Sequence, residues 1–351
     1  MVRTAPARQR LRQTIEKLLD AGNGELLESE RVLAGQLGGS RSTLRLALED
    51  LARVGRLRHV PGKGWQVRRR QGLLWIKAQR SRPSPELING LRSVLPEDCP
   101  LEVVSCPQPV TAWSAPPWDL IEPRRHRVVL LFHEHGAPEH VAQALDAAGV
   151  ALCCVNCNLH RNYDTVCADY AQMSRLLVEE AEAHGHRHIA FVGARSLHLF
   201  NPAFMARVHG YRVAMQGLGL EPHVILLGGD FEPLHDQFAT WLAEREAVGR
   251  RPTCLYLSGP GFARRLGRVL ARLGLAIPED VSVAGFGGSE SGDDLLHYAT
   301  YTRIIEPWSA VGQAAGLRCL ARLATTTTVS PVLTLVPSVL RSGDSIRHIG
   351  G

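Results

Sequence analysis

Residues 29–64 read SERVLAGQLGGSRSTLRLALEDLARVGRLRHVPGKG, and the spacing of their apolar and glycine positions decides the first fold unit. Ser29 stands where a helix N-cap belongs, ahead of Leu33, Ala34 and Leu37 on one side of a short helix over 29–37. Gly38-Gly39 breaks that helix. The next one runs from Ser40 to about Val54 and aligns Leu44, Ala47, Leu48 and Leu51 as a core stripe, with Arg41, Ser42, Arg45 and Glu49 on the opposite face. Residues 56–67 then read as two short strands around Pro61-Gly62-Lys63-Gly64, whose glycines permit a tight turn. Upstream, residues 8–21 place Leu11, Ile15, Leu18 and Leu19 at helical spacing until Gly22 and Gly24 end the run.

Charge is unevenly placed along the 351 residues. The chain carries +6 overall, but residues 1–70 alone hold fifteen Lys/Arg against seven Asp/Glu, leaving the remainder at −2. A basic head on a near-neutral body is the electrostatic outline of a nucleic-acid-binding module joined to something else. Charge alone would serve a solvated basic surface equally well. No apolar run is long enough to span a membrane, and the basic N-terminus leads into a mixed helix, so a cytoplasmic protein without a membrane partner is expected.

Five of the eight cysteines lie between Cys106 and Cys167. No second Cys or His pair follows Cys153-Cys154-Val-Asn-Cys157 at a zinc-site spacing, so these read as reduced core thiols and no metal is expected. His184, His186 and His188 sit at a helix-to-strand turn and read as surface residues.

Past a linker and first strand at 71–84, strand-like and helical patterns alternate. Strands are expected at 72–77, 101–106, 127–133, 150–155, 188–193, 223–227, 253–257 and 281–286. Helices are expected at 138–148, 169–184, 203–217, 232–246, 261–273 and 307–323. Continuous apolar strands between amphipathic helices imply parallel sheets covered on both faces. So many elements over residues 85–351 imply two α/β lobes, with a ligand crevice outside the strand C-termini.

The helix order and the motifs SER-x-LA-x-QLG-x-SR-x-TLR with a Gly-rich wing resemble the GntR family of winged helix-turn-helix repressors, over roughly residues 8–68. That resemblance implies contacts with a double-stranded DNA operator from Arg31 on the second helix, and from Arg41, Ser42 and Arg45 on the recognition helix. Ser40 and Thr43 complete the set at the N-terminal end of that helix, and Gly62 and Lys63 form the wing tip. Gly39, where a larger residue is usual, and Trp65 in the wing depart from the pattern.

The body resembles the LacI type of regulator in AHGHRHIAFVG (183–193), RVHGYRVAM (207–215), GLAIPEDVSVAGF (274–286) and PSVLRS (337–342). The likeness is strong over 150–342 and faint over 72–149, where the first lobe reads as shortened. It implies a two-lobed periplasmic-binding-protein-like α/β fold with parallel sheets, a small-molecule effector and a homodimer. Arg207 matches the ligand-contacting arginine, and Asp169 an acidic residue near the lobe crossover that reads as structural. Gly287 stands where an Asp is usual, and Ser258-Gly259 where an Asn-Asp pair is usual. Ser258, Glu290 or Asn201 could take over those contacts, with Asn158, His133 and Glu134 at the first-lobe strand ends.

The two resemblances together imply a DNA-binding transcription regulator, a repressor controlled by an effector such as a sugar or related metabolite. A ligand-independent regulator with a degenerate effector site is the alternative. An enzyme is not expected. The body's one lysine is Lys77, within a strand, and neither a nucleophile elbow nor a phosphate-cradling glycine loop is present, so no cofactor is assigned.

Overall fold

The computed structural model describes residues 4–21, 26–53, 56–67, 72–78, 83–97, 99–123, 126–133, 135–157, 159, 161–195, 201–228, 231–287, 301–324 and 330–350. The first unit holds three helices, α1 (Thr4–Ala21), α2 (Glu30–Leu37) and α3 (Arg41–Arg53), followed by the antiparallel hairpin of β1 (Leu57–Val60) and β2 (Gly64–Val67). Ser29 caps α2 by accepting from the Val32 amide at 3.4 Å. Ser40 sits one residue before α3 as its cap rather than inside it, accepting from the Thr43 amide at 3.1 Å. Leu11, Ile15, Leu19, Leu33, Leu44, Ala47, Leu48, Leu51 and Trp65 form the core of this unit. Leu18, expected in the stripe, is 47% exposed. Gly39 has a packing reason: a Cβ there would stand 2.7 Å from Leu11 Cδ1. The helices are tied at the surface by Arg8, which donates through Nε to Asp50 Oδ2 at 2.5 Å and through a second nitrogen to Oδ1.

The body is two lobes, each with a six-stranded sheet. In the first lobe the order is β13 (Leu333–Val336), β7 (Asp164–Ala168), β6 (Ala151–Val155), β5 (His126–Phe132), β3 (Gly72–Ala78), β4 (Leu101–Cys106), all parallel. In the second it is β14 (Val339–Arg341), β12 (Thr302–Ile305), β11 (Ser282–Phe286), β10 (Cys254–Leu257), β8 (Ile189–Ala194), β9 (His223–Leu227), parallel except for β14. The first lobe is therefore not shortened. Its sheet matches the second in strand number, because 72–78 is a central strand and β13 is supplied from far down the chain.

Alternation along the strands sorts the core. In the first lobe, Leu73, Trp75, Val128, Leu130 and Cys153 face α4 (Pro85–Val94) and α10 (Trp308–Ala324). Leu74, Ile76, Val129, Leu131 and Cys154 face α5 (Glu139–Ala147). The α4–α10 crossing is close enough that a Cβ on Gly90 would strike the Ser309 carbonyl, and one on Gly312 the Leu87 carbonyl. In the second lobe, Ile189, Phe191, Tyr256, Ala284 and Phe286 pack under α6 (Tyr170–Ala183) and α7 (Pro202–Gly217). The opposite face, with Val192, Leu255, Leu257 and Val283, packs on α8 (Phe231–Ala247) and α9 (Pro260–Arg272).

Charge inside the first lobe is paired. Asp164, fully buried at the start of β7, accepts from Arg318 at 2.8 Å, from Arg322 at 2.6 and 3.0 Å, and from the Val332 amide at 3.0 Å. Burial works against its charge, but the two guanidiniums outweigh it and hold the carboxyl below its ordinary range. Seven of the eight cysteines are buried, Cys99 is partly so, and all eight are free thiols. The surface reading of the histidines fails at His186, which is fully buried: Nδ1 lies 2.9 Å from Thr253 Oγ1 and Nε2 3.1 Å from the Arg347 carbonyl. The C-terminal tail returns over this turn, where His184 stacks on His348 with ring centroids 4.2 Å apart.

Candidate nucleic-acid interface and effector crevice

The two candidate sites are built from opposite materials. On the head, the core stripe of α3 leaves Arg41, Ser42 and Arg45 exposed on the other side, with Thr43 half-buried. Arg45 meets Glu49 one turn on at 3.5 Å, a solvent-facing pair of little strength. The Ser40 hydroxyl is engaged locally, 2.7 Å from Thr43 Oγ1 and 3.0 Å from Ser42 Oγ. Arg31 is exposed on α2. In the hairpin, Gly62 and Gly64 adopt φ of 78° and 88°, which turns the chain and leaves Lys63 exposed at the tip.

The unusual Trp65 anchors that wing. It is 6% exposed, its indole N–H donates to Glu30 Oε1 at 3.0 Å, and its ring meets His59 edge-on at 5.0 Å. The Leu27 amide donates to the Trp65 carbonyl at 2.9 Å. The wing is thus fixed to the start of α2, next to Arg31.

In the body, the chain passes between the lobes three times: from β7 into α6 at 168–170, from β12 into α10 at 305–308, and from β13 into β14 at 336–339. The strand C-termini of both sheets meet at these crossovers. Asp169 is structural there, capping α6 by accepting from the Gln172 amide at 2.9 Å. Its own amide donates to Val336. Asn201 likewise caps α7, accepting from the Phe204 amide at 2.9 Å, so its oxygen is already committed.

Arg207 and Ser258 are placed at this junction. Arg207, on α7 and 6% exposed, rests in a corner of two rings, its guanidinium carbon 4.3 Å from the Phe286 centroid and 5.4 Å from that of Tyr170. Ser258 is 1% exposed at the end of β10. Alternation sets it on the same face as Tyr256, whose hydroxyl lies 2.9 Å from Ser174 Oγ; Ser174 Oγ in turn donates to the Arg207 carbonyl at 2.8 Å. Among the described residues, neither Arg207 Nε nor Ser258 Oγ, both buried, has a hydrogen-bond partner. From the first lobe, His133 and His135 stand with rings 5.5 Å apart at the end of β5. Burial and the neighbouring ring hold His133 below its ordinary range, so it is neutral. Glu290, Asn158 and Glu134 lie outside the described residues.

Two residues that sequence reasoning missed complete the junction. Tyr170 lies beneath Arg207 and donates its hydroxyl proton to Asn156 Oδ1 at 2.7 Å, joining the lobes. Asn156 has a φ of 66°, a conformation Asn tolerates better than most residues, directly after β6. Asn after an apolar strand was the available signal; the Tyr170 contact had none.

Comparison with known proteins supplies the context. Residues 178–346 match the family model of the periplasmic-binding-protein-like domain. An Escherichia coli K12 protein named HTH-type transcriptional regulator GntR is 26% identical over 161 residues, 44% of this chain and 44% of that protein; the chain thus matches less than half the length of that relative. A Rhizobium rhizogenes protein named probable opine utilization operon repressor is 29% identical over 177 residues, 48% of this chain and 86% of that protein. Among solved structures, a sugar-binding transcriptional regulator of the LacI family from Escherichia coli, complexed with phosphate, superposes with a TM-score of 0.60 at 19% identity, covering 80% of this chain and 100% of the other. At that identity the likeness is one of fold: the body has the two-lobed, parallel-sheet fold of LacI-type regulators.

Proposed function

We propose that this chain, whose body carries the periplasmic-binding-protein-like fold of LacI-type regulators, is a DNA-binding transcription repressor controlled by a small molecule held between its lobes. Residues 1–70 act as the operator-binding head, and the body senses the effector and pairs two copies. The homodimer presents two heads to the half-sites of a near-palindrome in the cytoplasm. Arg41, Ser42, Thr43 and Arg45 read the major groove, Ser40 and Arg31 hold the adjoining backbone, and Gly62 and Lys63 reach the flanking groove. Effector binding shifts the population of lobe arrangements and thereby the spacing of the heads.

The observation that carries this reading is the presence, in one chain, of a solvent-facing cationic helix and, where the two lobes join, of buried polar groups without partners among the described residues. The first suits a polyanion; the second suits a ligand. The test is selection of binding sites by the full-length protein from a random pool of duplex DNA, followed by gel-shift titration. Recovery of a two-fold symmetric consensus, lost with Arg41→Ala, is the expected result; binding without sequence preference refutes it.

A further inference from the structure

We propose that the effector is anchored by an anionic group, a carboxylate or a phosphate ester, received by Arg207 and Ser258. This rests on the sensor reading above and narrows its ligand class.

Arg207 is 6% exposed, and no carboxylate among the described residues pairs with it. Its Nε has no partner among the described residues, and the hydrogen bond it receives from Ser174 falls on its backbone carbonyl. The Phe286 and Tyr170 rings offset part of the charge but accept none of the N–H groups in plane. Taking a cation out of water costs several kcal/mol unless an opposite charge and hydrogen-bond acceptors are supplied. A planar fork with free edges is matched by two oxygens of a carboxylate or phosphate. Sugar hydroxyls could accept the protons but would leave the charge buried without a counter-ion.

Ser258, on the same sheet face, offers an unengaged hydroxyl to the same space. From the first lobe, the His133 and His135 rings stand together at the end of β5, 5.5 Å apart. Of the described acids in the crossovers, Asp169 accepts from the Gln172 amide at the α6 cap through Oδ1, and Glu306 lies in the passage from β12 to α10. Where the resemblance led us to expect an aspartate, Gly287 stands, and a Cβ there would lie 2.5 Å from Arg303 Cδ. The stem of a second arginine, 8% exposed on β12, thus fills the place an acidic side chain would need.

The test uses the full chain and matched ligand series: ribose, ribonate and ribose 5-phosphate, then glucose, glucuronate and glucose 6-phosphate. Binding is read by titration calorimetry, and the ligand-free variant Arg207→Met by its melting temperature. At least one charged member should bind roughly tenfold or more tighter than its neutral parent, about 1.4 kcal/mol, with Arg207→Gln removing that preference. Without ligand, R207M should melt at or above the wild-type temperature, because it removes an unpaired buried charge. A neutral sugar that binds as well as its acid and ester, with R207Q unaffected in preference, overturns the anion and leaves the sensor intact. If no member binds, R207M decides: a rise in melting temperature upholds the uncompensated cation, and a fall overturns it. Failure of the sensor-regulator reading shows separately, as loss of sequence-specific DNA binding by the wild-type chain.

Discussion

Arg41 and Arg45 of the head stand in solvent, the latter 3.5 Å from Glu49, whereas Arg207 in the crevice is 6% exposed with an unpartnered Nε. Arg318 and Arg322 in the first lobe represent a third state, half-buried and closed around Asp164. One residue type therefore does three jobs according to dielectric and partner. In solvent it is cheap to keep and screened by salt; buried and paired it is structural; buried and unpaired it awaits a ligand. The contrast can be broken by experiment at each level.

The largest effect is expected where a paired buried charge loses its partner. Asp164→Ala leaves Arg318 and Arg322 facing each other without their acceptor and should lower stability by about 3–5 kcal/mol in chemical denaturation, while R207M should not. Equal losses for both variants would erase the distinction between paired and unpaired arginines.

On the head, Arg45→Ala should weaken binding to the selected operator by about 1–3 kcal/mol, roughly 5- to 150-fold. Its melting temperature should stay at the wild-type value. A fall in stability without loss of DNA discrimination would assign Arg45 to the fold instead.

A pH scan tests the buried histidine. Burial pushes His186 down to about 4 from an ordinary value of 6.5, so the unfolded chain takes up the proton first. The stability that its neutral form contributes is complete above about pH 6.5 and is lost as pH falls toward 4. His186→Gln should flatten the melting profile across that window; a profile as steep as wild type would place the titration elsewhere.

The smallest effect belongs to the wing tip. Lys63→Ala should weaken operator binding nearly uniformly across sequences and reduce the slope of log affinity against log salt by about 1.

How far the molecule was legible follows from where its polar residues sit. Strands 101–106 and 223–227 coincide with their expected limits, and the helices of the second lobe fall within about a residue of theirs, because apolar runs and periodicity are local properties. Two of the missed strands carry buried polar residues: β7 opens on Asp164, and β12 holds Arg303 between Thr302 and Ile304. The other two, β13 and β14, are short and largely uncovered, with no unbroken apolar run to mark them. Asp164 is tolerated inside only because arginines more than 150 residues away reach it, and nothing local announces that. Helix α4 hides behind Pro85 and Gly90, the latter a requirement of the α10 crossing. In the candidate sites, Arg207, Ser258 and the recognition-helix positions were named through the family resemblances, and the structure supplies their placement. The aromatic corner around Arg207 and the Trp65–Glu30 bond were not, since each joins residues from separate elements.

The three passages of the chain between the lobes have a consequence for how the molecule is made. Neither lobe is a continuous piece of the polypeptide: the first needs β13, and the second needs β14 and the tail whose Ser345 bonds β11 and β12. Each sheet thus receives an edge strand only after nearly everything else has been synthesised. A chain interrupted after α10 would leave β7 and β12 both exposed as open edges, ready to pair with another copy. The last twenty or so residues act as a seal on both halves at once, so the crevice cannot form in a fragment that lacks them.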